Sequence, residues 1–162
     1  MPAVVRDRQR RPVVLTPTDF SPEAEAAIAE AVRLAKALGA ELVLLHVSVE
    51  AVLYGETPFG MGQLEKLYAA QARWAEAQLA TCAERLSSEG VKTSWRRRAG
   101  VPHEEIVKAA ADEDATYVVM STHGLGGFQR FMLGSVADRV VRTAACPVLT
   151  VRPPASGSPS LV

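Results

Sequence analysis

Apolar positions along the chain change period repeatedly, from continuous runs suited to buried strands to the three- and four-residue spacing of helices. Pro12-Val13-Val14-Leu15-Thr16 is a short apolar run stopped by Pro17, and it predicts a first strand buried on both faces. Ser21 and Pro22 then supply an N-cap and a first-turn proline, and Ala24, Ala27, Ile28, Ala31, Ala35 and Leu38 recur at helical spacing until Gly39. Residues 41–47 predict a second strand. The linker that follows carries Gly55, Pro58, Gly60 and Gly62, resists regular assignment and reads as a flap over about 50–62.

From about residue 64 the positions Leu67, Tyr68, Ala75, Leu79, Cys82 and Leu86 keep one apolar face as far as Gly90, which predicts a single long amphipathic helix. Residues 92–98 predict a third strand. Its Arg96, Arg97 and Arg98 suit an exposed sheet edge, where positive side chains discourage further pairing; an RNA-binding stripe is the weaker reading. A third helix over 102–112, a fourth strand over 117–120, a fourth helix over 134–144 and a last strand over 148–151 complete a βαβαβαβαβ order. That order predicts an α/β fold, a parallel sheet with helices on both faces. Such sheets take ligands beyond the carboxyl ends of their strands, where the strand order reverses.

At 162 residues the chain suits one domain, expected over 12–152, with a polar, basic tail over 1–11 and a tail rich in Pro, Ser and Gly over 153–162. Eighteen Lys and Arg balance eighteen Asp and Glu, so no basic surface for nucleic acid is expected. The longest apolar runs, such as 42–47, fall far short of the about 20 residues a membrane helix needs. Arg6, Arg8, Arg10 and Arg11 are followed by no apolar stretch of signal-peptide type, which sets the expectation of a cytoplasmic protein. Cys82 and Cys146 have no partner at zinc spacing and read as buried, reduced thiols.

Two segments at carboxyl ends of strands carry groups useful to a phosphate ester: Pro17-Thr18-Asp19-Phe20-Ser21 and Ser121-Thr122-His123-Gly124. After the second come nine residues, including Gly126 and Gly127, and then Gly134-Ser135 opening the last helix. A glycine-rich loop feeding a helix N-terminus offers backbone N–H groups and a positive dipole end to an anion. The same residues serve equally as turns and a helix cap. A P-loop and a dinucleotide fingerprint after the first strand are both absent. Asp19, His123 and a serine invite a hydrolase triad, but no Gly-x-Ser-x-Gly elbow accompanies them. A receiver domain needs an Asp at the end of its third strand, where this chain has Arg98-Ala99-Gly100. His46 reads as a packed strand histidine and His103 as a solvated one, neither with a metal-spaced partner.

The sequence Pro17-Thr18-Asp19-Phe20-Ser21, Leu45-His46-Val47, Ser121-Thr122-His123-Gly124, nine residues, Gly134-Ser135 and Cys146-Pro147-Val148 resembles the universal stress protein family over essentially all of 12–152. The resemblance implies a Rossmann-like fold of the adenine nucleotide alpha hydrolase type, a five-stranded parallel sheet in the order 3-2-1-4-5. Its nucleotide-binding branch carries Gly-x-x-Gly, nine residues, then Gly-Ser or Gly-Thr around ATP; this chain matches at Gly124, Gly134 and Ser135 and departs at Ser121. By that resemblance Asp19 accepts from the ribose hydroxyls, Pro17 and Val47 line the adenine pocket and Thr18 shapes the turn. Backbone N–H groups around Gly124 and Gly134, with the Ser135 hydroxyl, hold the phosphates, Arg130 either assists or is a solvated loop arginine, and Mg2+ or Mn2+ bridges phosphate oxygens. Ser121 stands where the family's glycine approaches the ribose, and His123 and Val136 complete the implied nucleotide-binding set. It further implies a homodimer paired through the last strand and a nucleotide-dependent regulatory role in stress response. A nucleotide-free dimeric interaction module and a slow ATP hydrolase or phosphotransferase are the alternatives.

Overall fold

The first apolar run forms strand β1 (Val13–Pro17), with Val14, Leu15 and Thr16 inaccessible to solvent. In the computed structural model, which describes residues 11–49, 61–123 and 133–152 (the side chains of 61–64 excepted), the order continues as the periodicity predicts. Helix α1 (Pro22–Leu38) starts where the Ser21 side chain accepts the Ala24 amide and Pro22 occupies the first turn. It stops at Gly39, whose left-handed φ of 61° lets its N–H reach the Ala35 and Lys36 carbonyls. Strand β2 (Glu41–Ser48), helix α2 (Met61–Ser88), strand β3 (Thr93–Ala99), helix α3 (Pro102–Asp112), strand β4 (Tyr117–Ser121), helix α4 (Ser135–Thr143) and strand β5 (Val148–Val151) follow.

All strand pairs are parallel and the sheet runs β3-β2-β1-β4-β5. Alternate strand residues face opposite sides, so two cores form. Val14, Leu42, Leu44 and Val119 meet Ile28, Ala31 and Val32 of α1 and Leu79, Ala83 and Leu86 of α2 on one face. Leu15, Val43, Leu45, Val118 and Met120 meet Ile106 and Ala109 of α3 and Ala137 and Val140 of α4 on the other. The fold is therefore the Rossmann-like α/β sheet covered on both faces.

The cleft that matters for function starts with a proline. The Thr18 amide donates to the Leu45 carbonyl of β2, so along β1 the next amide back that could face β4 belongs to residue 17, and Pro17 has none. Pairing of β1 with β4 accordingly runs only through Val14↔Tyr117 and Leu15↔Val118, whereas β1 pairs with β2 along its whole length. The hydroxyl of buried Thr16 donates to the Val119 carbonyl at 2.8 Å, satisfying a group the shortened ladder leaves over. Beyond that bond the two strands part.

Several expectations shift in detail. Helix α2 begins at Met61 and so takes in Gly62, assigned above to the linker; in a first helical turn the amide needs no intrahelical partner, so a glycine there disturbs little. The remainder of the expected flap, 50–60, lies outside the described residues, as do most of the two expected tails. His103 is half-buried rather than solvated. Cys82 and Cys146 are half-buried rather than buried and form no disulfide. Burial still pushes the Cys82 thiol above its usual range, against the opposing pull of the Arg85 guanidinium. Edge strand β3 carries Arg96, Arg97 and Arg98 as expected, each paired to an acid: Glu113, Glu76, and Glu105 with Asp112 respectively. Among the described residues no helix is long and apolar enough to cross a membrane.

Candidate functional site

Where β1 and β4 separate, a cavity of about 530 Å³ opens at the carboxyl ends of the strands. This volume lies within the roughly 300–1,000 Å³ of small-molecule sites. Nine of the residues singled out in the sequence line it: Pro17, Thr18, Asp19, Val47, Ser121, His123, Gly134, Ser135 and Val136. Gly124 and Arg130 lie outside the described residues. Thr122 and Leu45, which the sequence offered only as members of its motif segments with no role of their own, line the same cavity, and sequence reasoning missed Ala24, Val49, Pro102, Ile106, Met120 and Ala137 as lining residues. Most of these are ordinary core positions of strands and helices, so the hydrophobic period marks them as buried and carries no signal that their outer ends border a cleft.

One wall is the turn between β1 and α1, which is closed by side-chain hydrogen bonds. The Thr18 hydroxyl accepts the Phe20 amide at 3.0 Å, and Asp19 Oδ1 accepts both the Ser21 amide at 3.0 Å and the Ser21 hydroxyl. Ser21 Oγ in turn caps α1 by accepting the Ala24 amide. The turn holds Phe20 at φ 64°, a left-handed conformation that costs an L side chain about 1–2 kcal/mol. Phe20 lies 4.7 Å from the His46 ring, and Trp74 of α2 meets it edge-on at 5.1 Å. His46 Nδ1 sits 2.9 Å from the Thr18 carbonyl; a carbonyl only accepts, so Nδ1 carries the proton.

The opposite wall joins the end of β4 to the start of α4. Ser121 Oγ donates to the His123 carbonyl at 2.6 Å, so its hydroxyl folds back on its own loop. Thr122 Oγ1 and His123 Nδ1 are 2.9 Å apart, and His123 Nε2 is buried with no hydrogen-bond partner among the described residues. The Gly134 amide donates to the Thr122 carbonyl at 2.8 Å, and a β-carbon at 134 would come within 2.9 Å of that same oxygen. Gly134 is thus required by close approach of two backbones, and its amide is committed to protein instead of to an anion. The first intrahelical bond of α4 runs from the Asp138 amide to the Gly134 carbonyl, and no side chain caps the helix. The amides of Ser135, Val136 and Ala137 therefore have no carbonyl one turn back, and all three residues border the cavity. A third wall is apolar, with Val47 near the end of β2, Val49 just after it, and Pro102 and Ile106 of α3.

This arrangement offers a small ligand an apolar slot on one side and a positive helix end on the other, with Asp19 of the β1–α1 turn also on the lining. Among the described residues no three His, Cys, Asp or Glu side chains cluster as a metal cage. A universal stress protein of Methanocaldococcus jannaschii is 34% identical over 142 residues, spanning 87% of this chain and 82% of its own. The solved structure of the universal stress protein UspA from Lactobacillus plantarum superposes with a TM-score of 0.77 at 26% identity, covering 88% of this chain and 99% of that one. A universal stress protein from Archaeoglobus fulgidus, solved in complex with dAMP, shares the fold at a TM-score of 0.58 and 23% identity, covering 87% of this chain and 97% of that one. Residues 11–152 match the sequence model of the universal stress protein family, and to that family the chain belongs.

Proposed function

We propose that this chain binds an adenine nucleotide, ATP in the first place, in the cavity at the parting of β1 and β4, and acts as a nucleotide-dependent regulator in stress response. The observation that carries the reading is the pairing, within one cavity, of an apolar slot and an uncapped helix N-terminus. In this reading the base lies against Pro17, Val47 and Val49. Asp19 accepts from the ribose hydroxyls, and the amides of Ser135, Val136 and Ala137 with the Ser135 hydroxyl hold phosphate oxygens. Gly124 and Arg130 join the phosphate side. Ser121, with its hydroxyl already donated to His123, leaves room for the sugar where the family motif has glycine. A divalent cation, Mg2+ or Mn2+, is carried on the phosphate oxygens and supplies charge neutralisation there. The dAMP complex of the Archaeoglobus fulgidus protein supports the choice of an adenylate. The function is one of binding and signalling, with hydrolysis slow or absent, and the working unit is a homodimer joined through β5.

Calorimetric titration of nucleotide-stripped protein with ATP and magnesium tests this. Saturable binding in the micromolar range or tighter is expected, together with an adenylate released from the protein as purified. No heat and no co-purified nucleotide would overturn the reading and favour a nucleotide-free dimeric interaction module.

A further inference from the structure

We infer that Phe20 and Trp74 are positioning residues for Asp19: the stack of Trp74, Phe20 and His46 holds the β1–α1 turn in the one backbone state that aims the carboxylate at a ribose. The inference rests on the nucleotide reading above and adds to it a determinant that lies on α2, outside the cavity.

Phe20 directly follows Asp19 and has a φ of 64°, a region where glycine or asparagine sits without strain and a bulky side chain does not. Such a conformation persists only when its surroundings over-determine it. Here the backbone is fixed by the Thr18 hydroxyl on the Phe20 amide and by Asp19 Oδ1 on the Ser21 amide. The side chain is fixed separately. Its ring lies 4.7 Å from His46, inclined at 31°, and takes the edge of Trp74 at 5.1 Å and 79°, both within the range of favourable aromatic contacts. His46 is itself anchored on the Thr18 carbonyl at 2.9 Å, so the stack grips the turn from both sides. Rotation of the Phe20 backbone out of the left-handed region would break the Ser21 amide bond and swing Asp19 with it. Trp74 is 55% exposed, and its contribution is therefore the contact with Phe20 more than burial in the core.

The test compares ATP with 2′,3′-dideoxyATP by calorimetry in wild type, Phe20→Ala, Trp74→Ala and Trp74→Phe. A ribose contact through Asp19 makes wild type prefer ATP by about tenfold or more, a ratio equal to about 1.4 kcal/mol. Both alanine variants are expected to weaken ATP until the two nucleotides bind within about twofold of each other, with dideoxyATP affinity unchanged. Trp74→Phe keeps a ring edge and is expected to restore the preference. Equal weakening of both nucleotides would mark the stack as merely structural and overturn the inference, as would a preference undiminished in Trp74→Ala, a half-exposed change that spares the core. A wild type that binds both nucleotides alike would remove the Asp19 contact and the inference with it. Failure of wild type to bind either nucleotide is a separate result, the failure of the nucleotide reading itself.

Discussion

Gly134 carries two roles that a substitution separates. A β-carbon there would stand 2.9 Å from the Thr122 carbonyl oxygen, and backbone on both sides leaves no flexible side-chain end to give way. Gly134→Ala is therefore expected to displace the start of α4 from β4 and cost about 1–3 kcal/mol, read as a lowered urea midpoint. ATP affinity should fall with it, because the Ser135, Val136 and Ala137 amides move as a unit. An unchanged midpoint would show that the approach relaxes at no cost. The residue type and its place before a helix were legible in the sequence as a turn, a cap or an anion site. What was not legible is that its own amide is taken by Thr122, a contact across twelve residues whose geometry no spacing encodes. The same holds for Ser121: its departure from the glycine of the family motif is plain in the sequence, but the fold-back of its hydroxyl onto His123 depends on the loop's path.

Among the elements, α3 binds the arginine-rich edge strand through charge. Arg98 of β3 reaches Glu105 at 3.6 Å and also pairs with Asp112, while Lys108 reaches Glu105 at 2.8 Å. The Lys108 hydrogen bond, assisted by its charge and by Arg98, holds the Glu105 carboxyl below the usual carboxylate range. Such a group stabilises the fold above its unfolded pKa, and the contribution is lost as pH falls through the ordinary carboxyl range towards the depressed folded value. Glu105→Gln is thus expected to lower stability near neutrality and to flatten its decline between about pH 5 and about pH 3. Urea midpoints across that window check it, and parallel profiles for variant and wild type would remove Glu105 as a source. At this scale the order and type of every element were readable from the switch between strand runs and helical spacing. The miss was at the start of α2, because Gly62 signals a loop by propensity while the long amphipathic helix that follows it, as far as Ser88, decides for helix.

For the whole molecule, the two edges of the sheet differ in what they present. The β3 edge displays three arginines already engaged with acids, whereas β5 is short, uncharged and carries Leu149 45% exposed. An apolar edge with unpaired backbone groups is the one that favours joining a second copy, and an isologous pair would bring each Leu149 to the twofold interface. Periodicity predicted a parallel sheet covered on both faces but could not order its strands, since each crossover can return to either side of its predecessor. The order 3-2-1-4-5, and with it the knowledge that β5 is an edge, entered through the family resemblance. Leu149→Glu places a carboxylate on that edge without touching a cavity-lining residue, and like charges facing across a twofold axis repel. Sedimentation velocity at micromolar concentration is expected to give twice the chain mass for wild type and the single-chain mass for the variant, with ATP binding retained in both. A wild type that sediments as one chain would remove β5 as an assembly surface, and a variant that still pairs would move the interface elsewhere on the molecule.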